Sequence, residues 1–279
     1  MHDFAAFLTS PFALRAAAAF FFIAVNAAFS GAFASFRGST FLVSGASHAA
    51  LGGAALVIVL ESKGLAFGID PLWGAAVFAV LLALAAGSAG TRSPGSAPDT
   101  TIGVGFALSM AFAVLLISLI PESASRVWGL LMGDVLLITA DDLLLLAFLS
   151  SVVVLLFVVF WKQFLFVSFD PDGAQAFGIS AARFNYLLFG LIGLSAALLV
   201  KAIGAILVFA MLSAPAATAL LVSSSVHRTL WWSFAIAFFS GILALVLSYF
   251  TALSVSALAA FFVSGAYFAV RFSRWLASR

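Results

Sequence analysis

His48 is the residue of this chain best placed to do chemistry. It sits inside a long apolar run, in the segment Ser44-Gly-Ala-Ser47-His48-Ala-Ala-Leu-Gly-Gly53. At helical spacing Ser44 and His48 lie one turn apart on a shared face. An ionisable side chain in hydrocarbon costs on the order of a few kcal/mol unless it is paired or hydrated, so each one is a functional candidate. A neutral imidazole is the commonest ligand for zinc, manganese and iron class metals, and a hydroxyl beside it is a weak oxygen ligand. The plainer alternative is a histidine that hydrogen-bonds a neighbouring helix. Gly45, Gly52 and Gly53 let another helix approach closely and, with Ser47, are candidates to line a pathway.

Other reaction chemistries do not assemble. A zinc-protease helix needs two histidines four apart with a glutamate between them, whereas His2, His48 and His227 are scattered. An intramembrane aspartyl protease needs two embedded aspartates, and the acids here fall in or near predicted loops. Asp141 and Asp142 read as the acidic first turn of a helix beginning at Leu143, with Thr139 as its cap. No phosphate-binding loop is present, so the chain is not expected to be an enzyme, and any ATP hydrolysis belongs to another chain. With no cysteine there is no disulfide, thiolate cage or thiol nucleophile.

Two segments have mechanical rather than chemical character. In Lys201-Ala-Ile-Gly204 through Ser-Ala-Pro215-Ala-Ala-Thr218-Ala219, Pro215 frees a backbone carbonyl and kinks a helix, and Thr218 is placed to re-satisfy loose polar groups. Kinked helices at membrane depth often line substrate cavities, and Pro215 serves equally well as a packing kink. In Ser168-Phe-Asp170-Pro171-Asp-Gly-Ala174-Gln-Ala-Phe177-Gly178-Ile179, the Asp-Pro pair starts a helix and Gly178 stops it. This predicts a short helix, Pro171–Phe177, between two membrane spans.

The elements that must hold these residues follow from composition. Of 279 residues, 65% are hydrophobic and 8% charged, which excludes an ordinary soluble enzyme. A net charge of +2 provides no basic face for nucleic acid, so the pI near 9.3 concerns membrane orientation. We therefore expect an all-α polytopic membrane protein, one domain over residues 1–279. Its spans are expected at Phe12–Ser35, Phe41–Leu60, Leu72–Gly87, Ile102–Ile120, Leu143–Trp161, Asn185–Val200, Ala202–Val222, Leu230–Phe250 and Ser256–Val270. Leu72–Gly87 and Asn185–Val200 are only about 16 residues long and need tilt, so eight spans is also acceptable. Arg15 and Ala32-Phe33-Ala34 superficially resemble a signal peptide, but the run is too long and too far from the start. The segment from Gly90 to Asp99 reads as a plain connector.

Alternating spans with a cytoplasmic C-terminus put Arg37, Arg92, Lys162, Arg183, Arg228, Arg271, Arg274 and Arg279 inside. Arg15, Lys63, Arg126 and Lys201 then lie outside, and so does the N-terminus. Most acids, among them Asp70, Glu122, Asp134 and Asp142, also face outward, which hints at cations there.

Four stretches resemble the membrane permeases of zinc, manganese and iron ABC importers. Val200–Ala219 is similar to that family's "VGxLLVxALLxxPAATA" run, with Gly204, Ala205 and Pro215 to Ala219 in place. Phe169–Ile179 is similar to its "DPxxAxxxGI" coupling segment, Asp99–Val104 to "DTxIGI", and Gly133–Leu143 to "GDLLxVTxxDL". The departure is in the second span, where the family's "GDxxxHA" keeps His48 and Ala49 but has Val43 and Ser44 for the Gly-Asp pair. The resemblance implies a homodimer in the plasma membrane of a prokaryote, two ATP-binding subunits, and an extracytoplasmic metal-binding protein. It implies that Asp170, Pro171, Ala174, Gly178 and Ile179 meet the ATPase, and that His48 with Ser44 holds the metal in transit. No cofactor is expected. Without that carboxylate three readings stay open: a weaker, histidine-dominated site that favours zinc over manganese or iron, a carboxylate supplied from elsewhere, or a diverged substrate. The rival reading is a stand-alone secondary transporter, which would need paired charges in the membrane that this sequence scarcely offers. A scaffold or intramembrane enzyme is a third.

Overall fold

The computed structural model describes residues 2–65, 68–92, 98–119, 129 and 132–278, and among them the regular structure is entirely helical. A short α1 (His2–Leu8) precedes α2 (Pro11–Asn26), a π-turn (Ala27–Gly31) and α3 (Ala32–Phe36), which form the first span together. There follow α4 (Phe41–Ser62), α5 (Pro71–Arg92) and α6 (Pro98–Leu119). A 3₁₀ turn (Val135–Leu137) leads into α7 (Ala140–Val159), α8 (Trp161–Phe169) and the short α9 (Pro171–Ala176). The chain closes with α10 (Ala181–Ile203), α11 (Ala205–Val222), α12 (Val226–Thr251) and α13 (Val255–Ala277).

Among the described residues nine helices are long and apolar enough to cross a bilayer, matching the nine expected runs. Both spans expected to be short are full length: α5 has 22 residues and α10 has 23. The sequence windows missed their polar ends, because Ser88, Arg92, Arg183 and Lys201 continue the helices past the apolar stretch. The helix expected from Leu143 starts at Ala140, where Thr139 and Asp142 form a reciprocal capping box. His227 and Arg228, expected beside a loop, are in the first turn of α12. Glu122, Arg126 and Arg279, used above to argue orientation, lie outside the described residues, as does the middle of the Gly90–Asp99 connector.

Helix α4 occupies the centre, with 94% of its span buried against α5, α6, α10 and α11. Small residues make this possible, since lipid supplies no hydrophobic force between helices and close backbone approach must do the work. A Cβ on Gly53 would collide with the Gly74 carbonyl oxygen, and one on Gly74 with that of Gly53. Gly45 receives the fully buried Ile102 of α6 in the same way, with its Cγ2 only 2.8 Å from where a Cβ would stand. Gly193 of α10 lies against Ala79 and Ala83 of α5.

Polar cross-links pin this packing. The Ser30 and Ser195 hydroxyls are 2.6 Å apart, and Asn26 Nδ2 donates to Ser150 Oγ at 2.8 Å. The outer helices α6, α7, α12 and α13 bury less than a third of their span residues and turn Leu, Val and Phe side chains outward. That is the surface of a lipid-facing helix.

Candidate metal pathway and coupling site

His48 lies in the buried stretch of α4 and is 9% exposed. Its Nδ1 is 2.9 Å from the Ser44 carbonyl oxygen, one turn back. A carbonyl can only accept, so Nδ1 carries the proton and Nε2 keeps the free lone pair. Ser47 Oγ donates to that same carbonyl at 2.9 Å and stands 3.4 Å from His48 Nδ1. The Phe106 ring of α6 closes against the imidazole edge-on, with centroids 4.5 Å apart. The ring is thus fixed in tautomer and orientation by its own helix, as second-shell bonds fix metal-binding histidines. Among the described residues no group of three or more His, Cys, Asp or Glu side chains comes together. A cation at Nε2 would therefore complete its coordination with hydroxyls, carbonyls, water or groups from another chain.

Gly204, Pro215 and Thr218 are also interior. Gly204 has φ +82°, ends α10, and packs its backbone against Met132 and Gly133. Pro215 leaves the Met211 carbonyl without its helical donor. The Thr218 hydroxyl bonds Ala214 O at 2.7 Å rather than that carbonyl, so the expected repair role does not materialise. Opposite this stretch, Gly31 at the end of the π-turn touches the Leu212 carbonyl, so two irregular helix segments meet backbone to backbone.

The short helix expected at Pro171–Phe177 forms one residue shorter, as Pro171–Ala176. Asp170 caps α9, its Oδ1 accepting from Gly173 N at 2.8 Å, and Pro171 occupies the first turn. Ala174 is fully buried, whereas Phe177 is exposed. Gly178 ends the helix at φ +80°, and Ile179 N donates back to Ala174 O at 2.9 Å.

Two polar clusters were not singled out from sequence. Arg37, after α3, donates to Val167 O of α8 at 3.0 Å and to Asn185 Oδ1 of α10 at 2.9 Å. Asn185 Nδ2 in turn donates to Gly87 O of α5 at 3.3 Å. Burial pulls the Arg37 pKa down, but a guanidinium stays charged at any physiological pH. At the opposite ends of the spans, Lys201 Nζ lies 2.9 Å from Asp70 Oδ2 and 2.8 Å from Asp142 Oδ1. Asp70 and Lys201 also line a cavity of about 380 Å³ with Ala54, Ile58 and Ala197. The available signal for this triad was that alternating spans put all three residues at one end.

This arrangement of a buried histidine, a helix with an internal proline and a short capped helix has counterparts among known proteins. The ABC 3 transport family matches residues 9–274. The chain belongs to that family. An uncharacterised membrane protein of Synechocystis, slr2045, is 35% identical over 189 residues, which cover 68% of this chain and 64% of that protein. The manganese transport system membrane protein MntC of Listeria innocua is 32% identical over 219 residues, covering 78% of this chain and 75% of its own. Among solved structures, PsaBC from Streptococcus pneumoniae in complex with Fab superposes with a TM-score of 0.82 at 27% identity, over 96% of this chain and 94% of that one.

Proposed function

We propose that this chain is the membrane-spanning subunit of an ABC importer for a first-row divalent metal, with the metal as cargo passing His48. The observation that carries the reading is a buried imidazole, locked by Ser44 O so that Nε2 is the free ligand atom, in a member of the ABC 3 transport family. In this reading two copies of the chain pair, and two ATPase subunits receive α9 from the cytoplasm. An extracytoplasmic binding protein delivers metal at the end bearing Asp70, Asp142 and Lys201. That triad carries net charge −1, and its cavity is a suitable vestibule for a cation. ATP-driven closure of the ATPases moves α9, and Arg37 passes the displacement from α8 to α10 and α5.

Ser44 in place of the family's aspartate makes the site softer and points to zinc. Manganese is the second reading, supported by the name of the Listeria relative. The test is ATP-dependent uptake of radioactive zinc and manganese in proteoliposomes holding the chain with its ATPase and binding protein. His48→Ala is expected to abolish uptake while the complex still assembles. Uptake unchanged by that substitution would remove His48 from the path.

A further inference from the structure

We infer that the groove between the end of α7, the start of α8 and the start of α12 is a binding site for one anionic phospholipid. The groove has a volume of about 600 Å³, and its lining divides into apolar and cationic residues. Its apolar wall is Phe29, Val158, Val159 and Leu230, which belong to the spans; Val158 and Val159 are exposed, as lipid-facing side chains are. Its rim is Lys162 and His227, and its lining includes no carboxylate. Lys162 is exposed and joins no salt bridge among the described residues. Arg228, exposed and next to His227 in the first turn of α12, adds a second fixed positive charge. Trp161 also lines the groove, its ring 5.5 Å from that of His227, and indole is the side chain that favours the headgroup level.

A free phosphate would use only the cationic rim. A neutral lipid would use only the apolar wall. The pairing of an apolar wall with cations beside it fits a negatively charged headgroup whose acyl chain lies along the exposed Val158 and Val159 surface. Phe29 belongs to the π-turn, and an acyl chain held against it rests on the segment that touches α11 beside Pro215. Such a lipid would support the first span where it is least regular.

The test is native mass spectrometry of the purified full chain released from nanodiscs of mixed phosphatidylcholine and phosphatidylglycerol. The wild-type chain is expected to retain one phosphatidylglycerol in preference to phosphatidylcholine. Lys162→Gln should reduce that preference about fivefold, and Lys162→Gln with Arg228→Gln should remove it. Lys63→Gln, at the opposite ends of the spans, serves as the folded control and should leave it intact. Equal retention of both lipids by the wild type overturns the proposal. So does an unchanged preference in the double variant, or full displacement by soluble glycerol phosphate, which would make the rim a simple anion site. Because the measurement uses neither metal nor ATP, its outcome is independent of the transport reading.

Discussion

At the scale of single residues, the consequential feature is what His48 lacks. Its imidazole is held by a backbone carbonyl of its own helix, and the residue one turn back offers a hydroxyl where the family pattern offers a carboxylate. A hard ion such as Mn(II) gains more from a carboxylate than a borderline ion such as Zn(II) does. Ser44→Asp is therefore expected to raise manganese uptake relative to zinc by about tenfold, the equivalent of about 1.4 kcal/mol. Competition between the two isotopes in one proteoliposome preparation reads this directly, and an unchanged ratio would mean that Ser44 does not face the ion. Arg37 makes the second residue-scale prediction. Arg37→Met leaves the Val167 carbonyl and Asn185 Oδ1 without their donors, at about 1–3 kcal/mol for each buried group. The expected outcome is ATP hydrolysis that continues while metal moved per ATP falls; the two rates measured side by side decide it.

At the scale of elements, α9, which we propose as the lever, ends in a glycine for a backbone reason. A Cβ on Gly178 would meet nothing within 4 Å, so bulk is not excluded; φ +80° is what disfavours other residues. Gly178→Ala and Gly178→Val should then reduce coupled uptake to a similar degree. A graded loss with side-chain size would instead indicate a packed interface with the ATPase. The Lys201 triad joins the loop before α5, the first turn of α7 and the last turn of α10. Its members are partly exposed, so each pair contributes no more than about 1 kcal/mol. Lys201→Met nonetheless leaves two carboxylates side by side. A lowered thermal midpoint, restored by adding Asp142→Asn, is the expected result in a double-mutant cycle.

At the scale of the whole molecule, the chain has no cysteine, so single cysteines can be introduced and labelled without background. With the C-terminus in the cytoplasm, Lys63→Cys should react with an impermeant maleimide in intact cells, and Ser278→Cys only after permeabilisation. The reverse pattern would invert the orientation and move the Asp70 vestibule to the cytoplasmic side. The same layout governs which helices were readable. Every span announced itself as an apolar run, because hydrocarbon imposes one demand on each helix independently of its neighbours. Asp170-Pro171 and Gly178 announced α9 because capping and positive φ are local properties. Thr139 as a cap was legible for the same reason.

The sequence by itself thus determined the nine spans, the short helix α9 and the family, since these rest on local composition and on motifs contiguous in the chain. Tertiary structure alone decided that α4 is the central helix, because Gly53 meeting Gly74 is a relation between two helices that no run of residues records. It likewise decided that Arg37 ties α8 to α10, that Lys201 sits between Asp70 and Asp142, and that Lys162 and His227 share one groove. Those partners lie from 59 positions apart in sequence, for Lys201 and Asp142, to 148 apart, for Arg37 and Asn185. The physical reason is that a charge or hydrogen bond acts over a few ångströms, and which residues come that close is set by how the helices pack.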